Sequence, residues 1–343
     1  MILVRSIRHD DLSALMQLAA SVGVGVTTLP ANEERLSRRI AASVAAQSAP
    51  ADAAPETADS SFVFAMEDTN TGKVVGICGI EGAVGLNEPW YNYRTGVSVR
   101  ASTEIGVYRK LDTLFLCNDL TGSAELCSLF LHPEWRRDNN GSLLSKSRFL
   151  FMAEFPARFN PRVIAELRGV SDEQGASPFW ESLGRHFFKM DFSQADYLTG
   201  IGQKSFIAEL MPQHPVYTTF LSEAARAVIG EVHDGTRPAR SMLEAEGFRY
   251  NGYVDIFDAG PTVECALPDI RAVRASRTFT ATSTEATTGS NWMVSNRRLN
   301  DFRVCLTQTE PSHNGLPLSH AVIEKLAIQP GDSVRAVPLS ARS

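Results

Sequence analysis

Two stretches of the chain hold residues whose types and spacing can do chemistry. The first is Arg136-Arg137-Asp138-Asn139-Asn140-Gly141. It joins an apolar run, Leu126 to Leu131 bounded by His132-Pro133, to a segment with Leu143, Leu144, Phe149, Phe151 and Met152 at its apolar positions. The run reads as a buried strand and the segment as an amphipathic helix, with Ser142, Ser145, Lys146, Ser147 and Arg148 interleaved. Asn139, Asn140 and Gly141 tolerate left-handed backbone, so a tight turn fits between the two elements. A loop that opens into a helix aims unpaired N–H groups and the positive end of the helix dipole at whatever lies in front. With two arginines at its entrance, such a turn suits a pyrophosphate. The same residues also fit a surface helix whose arginines are merely solvated.

The second stretch surrounds His233, which lies between apolar Val228-Ile229 and the turn Asp234-Gly235. Histidine titrates nearest neutrality and therefore suits proton transfer. The plain alternative is a loop histidine bonded to Asp234. Elsewhere His132 and His214 precede prolines, His186 lies beside Phe187-Phe188, and His9, His313 and His320 have no supporting context. No His/Cys/carboxylate cluster has ligand spacing, so metal catalysis is not expected.

The elements that must position these residues follow from periodicity. Val4 to Leu12 reads as a short strand, an Asp N-cap and the start of a helix with Leu12, Leu15, Met16 and Leu18 on one face. Phe62 to Met66 and Lys73 to Ile80 read as strands joined by a turn at Asn70-Thr71-Gly72. Arg162 to Leu167 is a further strand, and Phe179 to Gly184 a short helix. Phe179 to Phe188 gives a helix, Gly, aromatic, strand order that recurs in Ala239 to Phe257, which suggests a tandem arrangement of two similar halves. A helix from Glu33 to about Val44 is stopped by Pro50 and Pro55, and the Ala/Ser/Pro-rich stretch of about residues 45–60 reads as a mobile surface loop.

Composition excludes several classes. The 343 residues leave room for two ordinary domains. A formal charge of −6 argues against nonspecific nucleic-acid binding, which wants a basic surface. The five cysteines form no C-x-x-C pair and read as reduced, buried small hydrophobes. No window of eighteen apolar residues offers a membrane span and no signal-peptide pattern opens the sequence, so a cytoplasmic protein is expected.

The turn at residues 136–141 resembles the acyl-CoA-binding motif of the GNAT acyltransferase superfamily, [Gln/Arg]-x-x-Gly-x-[Gly/Ala], with Asn139 where the family usually has its first Gly. Leu126 to Phe155, Val216 to Val232, Gly230 to Arg240, Asp255 to Glu264 and Gln329 to Leu339 are similar to the arginine N-succinyltransferase family, a likeness that covers nearly the whole chain. The resemblance implies an α/β (α+β) fold of tandem GNAT-like domains, with mixed central sheets flanked by helices. Residues 1–195 would then bind acyl-CoA, and residues 196–343 would carry the catalytic histidine. It implies transfer of succinyl from succinyl-CoA, a co-substrate and not a permanently bound cofactor, to the α-amine of L-arginine, the first step of an arginine catabolic route.

Within that reaction the resemblance assigns His233 as proton donor and places an acyl-CoA contact at Leu129. An apolar side chain cannot polarise a carbonyl, so Leu129 would contribute backbone and packing. Arg136, Arg137 and the backbone of Asn139, Asn140, Gly141 and Ser142 would take the phosphates. For the substrate guanidinium Glu125, Asp255, Asp258 and Glu264 are available. For the succinyl carboxylate Arg237 and Arg240 are near in sequence. Assembly of like subunits or with a paralogue is left open. So are two other functions: a noncatalytic or regulatory GNAT-like subunit, and an N-acyltransferase for another amine such as ornithine.

Overall fold

The computed structural model describes residues 1–21, 29–50, 60–173, 175–200 and 205–341. Chain order begins β1 (Ile2–Ser6), α1 (Leu12–Ala20), α2 (Glu33–Ser48), β2 (Ser61–Asp68), β3 (Lys73–Glu81), β4 (Asn92–Ser102), β5 (Val107–Cys117), β6 (Ala124–Leu131), α3 (Asn140–Glu154) and β7 (Arg162–Glu166). It continues through α4 (Pro178–Ser182), α5 (Gly184–Phe188), α6 (Phe192–Gly200), α7 (Ser205–Leu210), β8 (Val216–Tyr217), α8 (Glu223–Ala227), α9 (Arg237–Glu246), β9 (Arg249–Val254) and β10 (Pro261–Ala266). The last part is α10 (Arg271–Ala275), β11 (Arg277–Thr284), β12 (Ser290–Ser295), β13 (Arg303–Thr309), β14 (Leu316–Ser319), α11 (His320–Lys325) and β15 (Ser333–Pro338).

The strands form one mixed sheet in the order β14-β11-β15-β12-β13-β1-β2-β3-β6-β7-β10-β9-β4-β5-β8. Neighbours are antiparallel except β6–β7 and β11–β14. The C-terminal strands join the rest where β13 pairs with β1, Leu3 opposite Cys305. β2 and β3 are buried along nearly their whole length, as their continuous apolar runs require of strands covered on both faces.

Two irregularities around β6 shape everything that follows. β6 and β7 pair in parallel only at Ala124↔Val163 and Glu125↔Ile164. Beyond those pairs the two strands splay, and a cleft opens between their C-terminal arms. On its other edge β6 carries an extra residue against β3, between Gly79↔Cys127 and Ile77↔Phe130, and Ser128 takes a left-handed φ of 53° there. Such a bulge re-aims the residues that follow it, here Leu129 at the mouth of the cleft.

The helix after β6 is not amphipathic as its sequence suggested. From Leu143 to Met152 every residue of α3 is buried, because the helix touches both the central strands and the C-terminal ones. Its polar residues are therefore all satisfied. Ser147 donates to the Leu144 carbonyl at 2.8 Å, and Arg148 Nε to the Ser145 carbonyl at 2.9 Å. Lys146 reaches Glu246 at 3.0 Å and donates to the Leu339 carbonyl at 2.9 Å. Glu246, which is 1% exposed, also receives Arg271 at 2.6 Å and the Ala272 N–H at 2.8 Å. One buried carboxylate thus ties α3, α9 and α10 together beside the end of β15.

A strand expected after Gly184 is replaced by α5 and α6. Gly184 lies so close under the Trp180 ring that no Cβ fits, and Phe188 stacks on that ring with centroids 5.3 Å apart. The aromatics that looked like a strand lie on a short helix, Phe188 packed inward and Phe187 exposed. The helix expected from Glu33 to Val44 runs on to Ser48, where Arg158 donates to the carbonyls of Ala46 and Ala49 at 3.1 and 3.0 Å. Of the loop expected near residues 45–60, residues 51–59 lie outside the described residues. No helix among the described residues is long and apolar enough to cross a membrane.

Candidate active site

The cleft between the β6 and β7 arms widens into a cavity of about 1300 Å³. His233, Leu129, Arg136, Asp255, Asp258 and Arg168 all line it. Residues more than a hundred positions apart are brought together because β7 pairs with β10, Glu166 opposite Thr262, and the Asp255–Gly260 loop precedes β10.

His233 is held by its own backbone and by β7's extension. Its N–H donates to the Arg168 carbonyl at 3.0 Å, and its carbonyl accepts from Thr236 at 2.8 Å as the chain turns into α9. Nδ1 accepts the Gly235 N–H at 3.1 Å. With that lone pair in use, the neutral ring carries its proton on Nε2, which is then a hydrogen-bond donor. Partial burial and the neighbouring Arg168 cation hold the imidazole below its ordinary value, while Asp234 pulls the other way. Asp234 itself pairs with Arg237 at 2.9 Å instead of with the imidazole.

Beside the His233 segment, joined to it through the Gly230 N–H to the Ala259 carbonyl at 2.9 Å, the Asp255–Gly260 loop presents two carboxylates, Asp258 buried and Asp255 half-buried. Asp255 Oδ1 accepts the N–H groups of Phe257 and Asp258 at 2.7 and 2.9 Å. Asp258 accepts those of Gly169 at 2.7 Å and Gly260 at 2.8 Å. Burial and the nearby Asp255 charge push the Asp258 carboxyl well above the usual carboxylate range, against those N–H bonds. A cationic ligand arriving there relieves the cost of burying charge. Gly169 is the close approach this requires, since a Cβ on it would meet the Asp258 carboxylate at 2.6 Å.

At the far end, the turn after β6 places Asp138 and Asn139 in the left-handed region, with φ of 53° and 63°. Asn140 and Gly141 are already helical, so the left-handed pair sits earlier than the Asn139–Gly141 stretch implied. Gly141 faces open space, with nothing within 4 Å of a Cβ built on it. The N–H groups of Gly141 and Ser142 lie in the first turn of α3, where helices leave donors without helical partners. Arg136 lines the cavity and donates Nε to the Leu131 carbonyl at 3.0 Å. Arg137 is exposed, 5.5 Å from the Trp135 ring centroid and 3.8 Å from Asp138.

Not every candidate reaches the cavity. Glu264 is engaged by Arg162 at 2.5 Å. Arg237 and Arg240 turn to Asp234 and Glu244, at 2.9 Å each, as neighbours along α9 do. Glu125, Asp255 and Asp258 do line it. The sequence reading missed Arg39, Arg148, Arg168 and Asp196, which line it too. Arg168 had one sequence signal, its place between a buried strand and a glycine. Cys127 also lines the cavity, and burial pushes its thiol up to about 12. It is protonated at neutral pH and unsuited to carry an acyl group covalently. Among the described residues no group of His, Cys, Asp and Glu could hold a metal ion.

A splayed parallel strand pair, a bulge beside it and a helix opening after the first strand define a GNAT-like α/β acyltransferase fold. A family model described as arginine N-succinyltransferase beta subunit matches residues 2–272, and one for that subunit's C-terminal domain matches residues 271–338. The arginine N-succinyltransferase of Salmonella schwarzengrund (strain CVM19633) is 54% identical over 340 residues, 98% of each chain. That of Shigella dysenteriae serotype 1 (strain Sd197) is 53% identical over 343 residues, covering 99% of this chain and 98% of its own. Among solved structures, subunit AI of arginine/ornithine succinyltransferase from Pseudomonas aeruginosa superposes with a TM-score of 0.92 at 34% identity, over 99% of both chains. The chain belongs to the arginine N-succinyltransferase family. It is an acyl-CoA-dependent N-acyltransferase.

Proposed function

We propose that the chain transfers the succinyl group of succinyl-CoA to the α-amine of L-arginine, giving N2-succinyl-L-arginine and CoA. The observation that carries this reading is one cavity lined by a histidine whose Nδ1 is occupied, by the carboxylates Asp255 and Asp258, and by Leu129 and Arg136 on the way into α3. The pyrophosphate would lie against Arg136, Arg137 and the backbone of Asn139 to Ser142, and the pantetheine along the β6 arm at Leu129. Asp255 and Asp258 would take the guanidinium.

The α-ammonium must first lose a proton, and its unperturbed pKa of about 8 makes that a modest step. The free amine attacks the thioester carbonyl, the attacking nitrogen releases its second proton to solvent, the C–S bond breaks, and the departing sulfur takes a proton. His233 would supply it from Nε2 in the imidazolium form, leaving the neutral ring, which solvent reprotonates for the next turnover. In this reading residues 1–195 bind CoA and residues 196–343 bring the histidine and the amine site, in the cytoplasm. A second reading, ornithine as an alternative amine, is favoured by the arginine/ornithine activity named for the Pseudomonas relative.

Free-thiol release by the purified protein, with arginine or ornithine against succinyl-CoA or acetyl-CoA, tests the proposal. Succinyl-CoA with arginine should be the fastest pair, and equal turnover of acetyl-CoA would contradict the succinyl assignment. For the phosphate site, Arg136→Ala combined with Arg137→Ala is expected to raise KM for succinyl-CoA by roughly tenfold or more, since charge-assisted bonds to phosphate are strong. KM for arginine should barely move. Equal effects on both substrates would refute that site.

A further inference from the structure

Resting on the acyl-transfer reading, we propose that Arg168 is the residue that recognises the distal carboxylate of the succinyl group and so sets the choice of a diacid acyl donor. Three observations place it. The strands part after the pair Glu125↔Ile164, and Leu129 and Arg168 each lie four residues farther along the two arms and line the same cavity. Arg168 thus borders the cleft that also holds the strand position where the thioester is expected. Its backbone carbonyl receives the His233 N–H at 3.0 Å, which fixes it beside the proton-transfer group. Its guanidinium is only partly used. Nη2 donates to Ser171 Oγ at 2.7 Å, while Nε is shielded from solvent and has no hydrogen-bond partner.

A buried donor without a partner is costly, and an anion that accepts from it recovers that cost. Among the other arginines that line the cavity, Arg39 pairs with Glu81 at 3.0 Å and donates to Ser128, Arg148 is enclosed by carbonyls around α3, Arg158 holds the carbonyls of Ala46 and Ala49, and Arg136 belongs to the turn before α3. None of these shares the backbone bond to His233 that Arg168 makes. Asp258 and Asp196 oppose the Arg168 charge from a distance. The segment is also stiff, because the next residue, Gly169, is clamped by Asp258 at 2.7 Å. A planar fork held in place matches a carboxylate bidentately, which an ammonium would not.

The test compares succinyl-CoA with butyryl-CoA, which replaces the carboxylate by a methyl group, using arginine as acceptor. The wild-type protein should prefer succinyl-CoA in kcat/KM, and Arg168→Met should shrink that preference by about a hundredfold or more, because a site built for a polar group discriminates strongly. The loss should fall on succinyl-CoA, with binding of CoA itself and KM for arginine little changed. Arg168→Lys, which keeps the charge and loses the fork, should shrink the preference less, and it gives the same comparison if the Met variant does not fold.

Removing the cation should also raise the His233 imidazole pKa, visible as an upward shift of its NMR titration midpoint, because Arg168 is one of the groups that holds it down. Equal losses with both donors, or a loss confined to KM for arginine, would overturn the assignment while leaving the acyl-transfer reading intact. A wild-type protein that transfers succinyl to no amine would overturn both.

Discussion

His233→Ala is expected to lower kcat by roughly 10² to 10⁴-fold, the range that general acid–base groups contribute. The reason is geometric. Nδ1 is tied to the Gly235 N–H at 3.1 Å, so Nε2 is the ring nitrogen left to exchange a proton with the reaction, and among the described residues no second histidine lines the cavity. Loss should appear in kcat and kcat/KM together, the pattern of an interaction made only in the transition state. Binding of succinyl-CoA should hold, because its phosphates would sit at α3, on the far side of the cleft. His233→Gln should not restore activity, since an amide donates a hydrogen bond and transfers no proton. Steady-state kinetics with both substrates varied check this. A fully active Ala variant would mean that His233-Asp234-Gly235 is only a well-formed turn and that solvent moves the proton.

The largest expected loss of stability follows Glu246→Ala. Its carboxylate is 1% exposed and bonds Lys146, Arg271 and the Ala272 N–H, all at 3.0 Å or less. Removing it leaves buried Lys146 and half-buried Arg271 facing each other without their shared carboxylate, and breaking a buried pair costs about 3–5 kcal/mol. The same cations hold the carbonyls of Pro338 and Leu339, so the end of β15 should loosen first. Urea unfolding should show a lowered midpoint, and hydrogen exchange should speed up first at residues 333–339. Unchanged unfolding would mean that the three charges are hydrated and not locked. The network also closes the seam at residues 271–272, where the two family models meet.

Much of the site was legible in the sequence because its parts are local. A buried strand, a turn of arginines and asparagines, and a helix lie consecutively at Leu126 to Glu154, and the structure orders them so. Asp255 and Asp258 were two of four carboxylates available for the guanidinium, and no sequence signal set them above Glu264. What was not legible depends on pairing across long stretches of chain. Arg39 reaches Ser128 from α2, 89 residues away, and Arg168 gains its setting only because β6 and β7 part after two pairs. Arg237 and Arg240, close to His233 in sequence, were poorer guides, because a helix start turns them toward partners of their own. The hairpin of β4 and β5 was missed because its outer residues, Val97, Val99 and Tyr108 among them, are exposed and interleaved with charges instead of repeating a buried pattern. Phe187-Phe188 misled in the opposite sense, as aromatics after a glycine look like a strand until Trp180 supplies a helix for Phe188 to stack on.

The most direct measurement is the identity of the product. Purified protein with succinyl-CoA and L-arginine should release one free thiol per molecule of N2-succinyl-L-arginine, with mass spectrometry giving the added succinyl group and NMR placing it on the α-nitrogen. Thiol release without an acylated amine, or acylation of the guanidinium in place of the α-nitrogen, would contradict the account.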